Sequence, residues 1–184
     1  GPLRVNVRLK RMNAVSRTLV AATISLTACT GLADLIYRDL GDIPIFDGTY
    51  DLDINQDGAM DFVFESVHAS QFWVMPQTGN AAIVNGSGDL APLTNGFQIS
   101  LSLSYPYSWS SNSVILISAF MTLPPPDGET GSGEFFGQTA FMGLEFAVSG
   151  NTHYAWVRLA HSDIGAGGYL VDLAYETDAD TELA

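Results

Sequence analysis

Lysine is absent after Lys10, and only two arginines, Arg38 and Arg158, follow Arg17. From Asp34 onward all 20 acids of the chain stand against those two bases, a formal charge of −18. Such a surface repels phosphate backbones and anionic lipid headgroups, so anionic membrane surfaces are poor partners and no nucleic-acid partner is expected. The same stretch has no apolar run of the roughly 20 residues that a spanning helix needs, so no membrane insertion of this part is expected. Cysteine is nearly missing too. Cys29 is the only one, so no disulfide framework can form, and a chain cut after Ala33 keeps no thiol for nucleophilic catalysis. No G-x-S-x-G or H-E-x-x-H motif occurs, and His68, His153 and His161 lack zinc-ligand spacing. Glu134 and Glu145 are a conceivable glycosidase pair, since that chemistry needs two facing carboxylates. Among 20 acids a pair of this kind carries little weight, and the expectation is a protein that is not an enzyme.

What is present centres on Asp53-Ile54-Asn55-Gln56-Asp57-Gly58-Ala59-Met60-Asp61, which reads D-x-N-x-D-G-x-x-D. Asp53, Asn55 and Asp57 fall at loop positions 1, 3 and 5, where a tight turn aims alternate side chains at one ion. Gly58 falls at position 6, where the chain must bend sharply and a Cβ would clash. Ala59 offers a backbone carbonyl, and Asp61 a direct or water-bridged carboxylate. Ca²⁺ suits this set, because it is a hard cation that takes 6–8 oxygens and the loop has neither sulfur nor imidazole. Position 12 holds Phe64 rather than the bidentate Glu of an EF-hand, and the flanks Thr49–Leu52 and Phe62–Phe64 are aromatic and β-branched. The expectation is a calcium loop between two strands; the competing reading is an Asx-rich turn that binds nothing.

The first 33 residues have another character. Arg4, Arg8, Lys10, Arg11 and Arg17 precede the apolar run Thr18–Ala28, and no acid occurs before Asp34. A basic start, a short apolar centre and small residues after it make a secretory signal peptide, with Gly1 to Arg11 lying upstream of a start at Met12. Gly31-Leu32-Ala33 places small residues for a cut before Asp34. Leu26-Thr27-Ala28-Cys29 also resembles a lipobox, the alternative in which Cys29 carries a lipid. The organisation expected is therefore an upstream extension plus signal peptide over 1–33 and a single domain over 34–184.

Strand signals fill that domain, and sustained 3.6-residue periodicity is absent from it. Candidate strands are Leu35–Tyr37, Thr49–Leu52, Phe62–Val67, Phe72–Met75, Phe97–Leu103, Val114–Phe120, Thr139–Val148, His153–Ala160 and Tyr169–Tyr175. Pairs such as Gly79-Asn80, Asn95-Gly96 and Asp127-Gly128 punctuate them. Many short strands separated by turns indicate an all-β fold, an antiparallel β-sandwich of jelly-roll-like character. Pro124–Gly133 reads as an exposed, semi-rigid excursion that is not a strand. Tyr105-Pro106-Tyr107-Ser108-Trp109 gathers three rings, which either close one end of the core or stack on sugars. Alternation along His153–Leu159 sets Tyr154, Trp156 and Arg158 on one face and Ala155, Val157 and Leu159 on the other. Arg158 is then expected to pair with an acid such as Asp172 or Glu176.

The calcium loop, Tyr154-Ala155-Trp156-Val157-Arg158-Leu159 and Leu170-Val171-Asp172-Leu173-Ala174-Tyr175-Glu176-Thr177 together resemble secreted bacterial PEP-CTERM-type exported proteins. Phe136-Gly137-Gln138 and His153-Tyr154 fit the same pattern, whereas Ala155 stands where it has Gly and Leu173 where it has Trp. The Pro-Glu-Pro sorting tripeptide does not occur in these 184 residues. The resemblance implies export and a surface or extracellular-matrix role, with extracellular polysaccharide or cell-surface components as possible partners. The function expected is a secreted, calcium-stabilised, non-catalytic protein. A carbohydrate-binding module using Tyr105, Tyr107 and Trp109 is the alternative, and a glycan-active hydrolase comes third.

Overall fold

The computed structural model describes residues 34–68, 70–120, 130–161 and 167–184. The signal-peptide and Cys29 readings, and most of the Pro124–Gly133 excursion, lie outside those residues. Among the described residues there is no helix. The chain forms β1 (Leu35–Ile45), β2 (Gly48–Leu52), β3 (Phe62–Val67), β4 (Gln71–Pro76), β5 (Ala81–Val84), β6 (Ser108–Ser110), β7 (Val114–Phe120), β8 (Thr130–Ser132), β9 (Thr139–Val148), β10 (Asn151–His161) and β11 (Gly168–Glu176). They make a β-sandwich. One antiparallel sheet runs β1-β11-β10-β9-β5-β6 and the other β2-β3-β4-β7-β8.

Period-2 patterning decides which face of each strand is buried. On β3, Phe62, Phe64 and Ser66 point inward, while Val63, Glu65 and Val67 are only half-buried. On β10, Ala155, Val157 and Leu159 enter the space between the sheets, where they meet Leu52, Phe64, Phe72, Leu116, Met142 and Leu144. Each fully buried side chain of that size contributes about 1.5–3 kcal/mol relative to exposure, so this layer carries most of the stability.

A second apolar cluster covers the outer face of the six-stranded sheet. Tyr154 and Trp156, on the opposite face of β10 from Ala155 and Val157, pack with Ile83, Leu93, Ile99 and Leu183. The covering segments are fastened by single bridges, Leu93 to Phe141 and Ile99 to Leu183. Gly143 permits the close approach, because a Cβ there would lie 2.4 Å from Ile83 Cδ1 and 2.9 Å from Leu93 Cδ1.

Three sequence expectations are corrected. Phe97–Leu103 is not a strand: Ile99 is buried but Leu101 is 71% exposed, and among the described residues the segment forms a β-bridge only at Ile99. Ala81–Val84 and Ser108–Ser110 are strands, paired to each other and, through β5, to β9. Thr130–Ser132, read as loop, is a short strand that pairs antiparallel with β7, in register with Ser118–Phe120.

Candidate functional site

The residues 53–61 connect β2 to β3. The ladder closes with Leu52 opposite Phe62, and the Asp61 N–H donates to the Leu52 carbonyl at 2.9 Å. Inside that closure the polar side chains bind the loop's own backbone. Asp53 accepts from the Asp57 N–H at 3.2 Å and from the Gly58 N–H at 2.8 Å. Asn55 Oδ1 accepts from the same Asp57 N–H at 3.2 Å, and Asp57 accepts from the Ala59 N–H at 2.8 Å. The Asn55 amide in turn donates to Asp57 Oδ2 at 3.0 Å. Gly58 has φ +91, and a Cβ on it would meet no atom within 4 Å. Backbone conformation, not the crowding expected from the sequence, requires glycine here.

Asp61 sits differently from the other acids of the motif. It is 6% exposed; Oδ2 accepts from the Ile54 N–H at 2.8 Å, and Oδ1 lies 3.4 Å from the Asn80 amide. Burial pushes its carboxyl above the usual range, reinforced by Asp53 and Asp57, against the lowering effect of Ile54 and Asn80. The Asp57 carboxyl is held below its usual range, first by the Ala59 N–H and then by Asn55. Among the described residues no group of three or more His, Cys, Asp or Glu side chains is placed to hold a metal ion. The structure thus brings Asp53, Asn55 and Asp57 together around the Asp57 N–H and sets Asp61 against the Ile54 end of the loop. Their donor chemistry fits Ca²⁺: carboxylate and amide oxygens throughout, with the Ala59 carbonyl in the same turn.

Sequence reasoning missed the residues that anchor this loop. Ile54, wholly buried, plugs the main core from within the motif. Arg38 donates to the Asp53 carbonyl at 3.0 Å and so ties the loop to β1. Asn80, 4% exposed, donates to the Asp61 carbonyl at 2.9 Å and accepts from the Ala147 N–H at 3.0 Å, joining the loop's end to β9. Gly79-Asn80 carried a turn signal, but nothing in the sequence pointed to these long-range bonds.

The aromatic segment packs more than it projects. Trp109 stacks on buried Tyr154, with ring centroids 5.9 Å apart and planes at 19°, and its Nε1–H donates to the Ser100 carbonyl. Tyr107 meets Phe97 edge-on, and only Tyr105 stands free, 93% exposed. The three rings form no shared platform. Arg158 pairs Asp172 through two bonds, Nε to Oδ1 at 2.9 Å and Nη2 to Oδ2, as the alternation along β10 implied. Tyr37 completes the cluster, its hydroxyl donating to Asp172 Oδ2 at 2.8 Å.

The remaining candidates have ordinary structural partners. His153 is buried, with Nδ1 against the Glu176 carbonyl, and His161 accepts from the Gly137 N–H. Glu134 accepts from the Asn85 amide, whereas Glu145 lies opposite Tyr154 and Ala81 in the sheet. Burial alone raises the Glu145 carboxyl above its ordinary value of 4.5. The native state therefore binds that proton more tightly than the unfolded chain, and Glu145 favours folding below pH 4.5. The contribution is lost as pH rises through the raised native value. Glu145→Gln is expected to melt with the parent near pH 4 and above it at pH 7, as paired thermal scans across that range would show.

No family model, curated protein or solved structure matches the chain.

Proposed function

We propose that this chain is a secreted bacterial β-sandwich acting without catalysis at the cell surface or in the extracellular matrix, its fold held by calcium. The observation that carries the reading is the bonding of Asp53 to the Asp57 and Gly58 N–H groups, which folds an all-oxygen donor set into one turn between two core strands. Asp53, Asn55, Asp57 and the Ala59 carbonyl would hold the ion, with Asp61 reaching it directly or through water. An ion there offsets the mutual repulsion of three carboxylates in a domain of formal charge −18. It also fixes the register of β3, on which the inward placement of Phe62 and Phe64 depends. Export and a matrix or surface setting rest on the basic-then-apolar start and the resemblance to exported bacterial proteins. Extracellular polysaccharide and cell-surface components are the partners that setting offers.

Without a bidentate Glu at position 12, the affinity expected is on the order of 10⁻⁴ M, the extracellular range. Millimolar calcium is then roughly tenfold above Kd and stabilises the fold by about 1.4 kcal/mol. Thermal unfolding in 1 mM Ca²⁺ and in chelator tests this. The parent should lose about that much stability on chelation, and Asp57→Ala should respond to neither buffer. Equal melting temperatures for the parent, with no calcium uptake by calorimetry, would leave an Asx-rich turn.

A further inference from the structure

We propose that the outer face of the six-stranded sheet carries a binding site for one pyranose unit of a neutral glycan, in the pocket beside Trp156 and the Arg158–Asp172 pair. This site shares no residue with 53–61 and does not depend on calcium. The pocket has a volume of about 180 Å³. That is below the roughly 300–1,000 Å³ of sites for drug-sized ligands, so it takes a single ring. Leu93, Phe97, Phe141 and Trp156 form its apolar walls, and Thr94 and Asn95 stand at the exposed rim.

The polar floor selects the ligand class. Arg158 spends Nε and Nη2 on Asp172, which leaves the Nη1 edge of a side chain that is 37% exposed. Asp172 is 3% exposed and already takes the Tyr37 hydroxyl as well. The pair is neutral as a unit; its open Nη1 edge offers donor N–H groups, and the Thr94 hydroxyl and Asn95 amide at the rim supply acceptor oxygens. Two neighbouring hydroxyls, each both donor and acceptor, match such an edge. An anionic ligand would have to approach Asp172 inside a domain of formal charge −18, and a wholly apolar one would strip water from the pair without replacing its hydrogen bonds. The walls match the other aspect of a sugar. The C–H groups of a pyranose face carry partial positive charge, which suits the negative face of an aromatic ring. Arg158 already lies over Phe141, its guanidinium carbon 5.9 Å from the ring centroid, which leaves Trp156 and Phe97 for that contact. Trp156 is only partly buried, and Phe141 meets it edge-on at 5.1 Å between centroids, so the walls are held in place before any ligand arrives. Tyr105 and Tyr107 border a wider, more open hollow of about 670 Å³ with Gln98, Ser100, Ser102 and Glu182, whereas Trp156 stands beside the guanidinium in the narrower one.

The experiment follows the Trp156 indole N–H resonance of the purified chain during titration with methyl glycosides of glucose, galactose, mannose and N-acetylglucosamine. Oligosaccharides of the same sugars form a second arm. At least one compound of the two arms should shift that resonance saturably. A response to both arms marks recognition of a free or terminal ring, and a response to oligosaccharides alone marks a ring within a polymer. Thr94→Trp places bulk at the mouth from a residue whose bond to Phe97 is made by its backbone carbonyl, so the fold is retained. Arg158→Lys keeps the charge beside Asp172 but loses the planar fork. Each should weaken binding by at least about tenfold with the native spectrum unchanged. No response in either arm, or binding that survives Thr94→Trp in the folded chain, would overturn the proposal.

Discussion

Phe64→Ala is expected to cost about 3–5 kcal/mol, the range for emptying a fully buried aromatic position. Phe64 has no exposed surface, packs against Phe72 with ring centroids 6.3 Å apart, and sits in the main core where both sheets contribute side chains. Truncation removes the transfer free energy of the ring and leaves a void that two hydrogen-bonded sheets cannot close by collapsing. For a chain of this size the loss lowers Tm by on the order of 10 °C. Phe64→Leu refills part of the space and should cost less than half as much. Glu65→Ala, next along the same strand but facing away from the core, should stay within about 0.5 kcal/mol of the parent. Chemical denaturation of the three variants in saturating calcium measures this without involving the loop. If Phe64→Ala and Glu65→Ala proved equal, the register of β3 described above would be wrong.

That register was legible because its determinants are local. Phe62–Val67, Val114–Phe120 and Thr139–Val148 form strands with the bounds read from sequence, and β10 divides its side chains between faces as alternation requires. The sandwich architecture follows from those strands and the turns between them. The loop motif was legible for the same reason, since its polar residues lie within nine positions of one another. What escaped notice is non-local. Ile99-Ser100-Leu101-Ser102-Leu103 alternates well, but alternation states which faces differ and not whether a neighbouring backbone is free to pair. Here, among the described residues, only Ile99 forms a β-bridge, with Leu183, and Leu101 is left in solvent. Ala81–Val84 shows no period at all, since all four of its residues are buried. Arg38 and Asn80, which brace the loop, act across 15 and 67 positions of sequence, and no spacing rule reaches that far. Charge offered more. Of the two arginines beyond residue 33, one braces the loop and the other neutralises a buried acid.

Arg158→Met is expected to cost about 2–3 kcal/mol through the partner it abandons rather than the bonds it makes. Asp172 is 3% exposed on a central region of the six-stranded sheet, directly opposite Arg158 in the β10–β11 register. Two guanidinium bonds and the Tyr37 hydroxyl balance its desolvation. Without Arg158 the carboxylate keeps one neutral donor, and a buried charge left unpaired is costly. The figure lies below the roughly 3–5 kcal/mol of a fully enclosed pair because the Arg158 side chain is 37% exposed, so water replaces part of what is lost. The double variant Arg158→Met/Asp172→Met separates the two contributions. It removes the stranded charge along with its partner and puts apolar bulk beside Trp156 and Phe141, so it should recover most of the loss. Tyr37, 59% exposed, then satisfies its hydroxyl with water. Urea unfolding of the parent, both single variants and the double completes the cycle, with a coupling of at least about 1.5 kcal/mol expected. Additive losses would mean that Arg158 stabilises the sheet by packing over Phe141, where its guanidinium carbon lies 5.9 Å from the ring centroid, and not by holding Asp172.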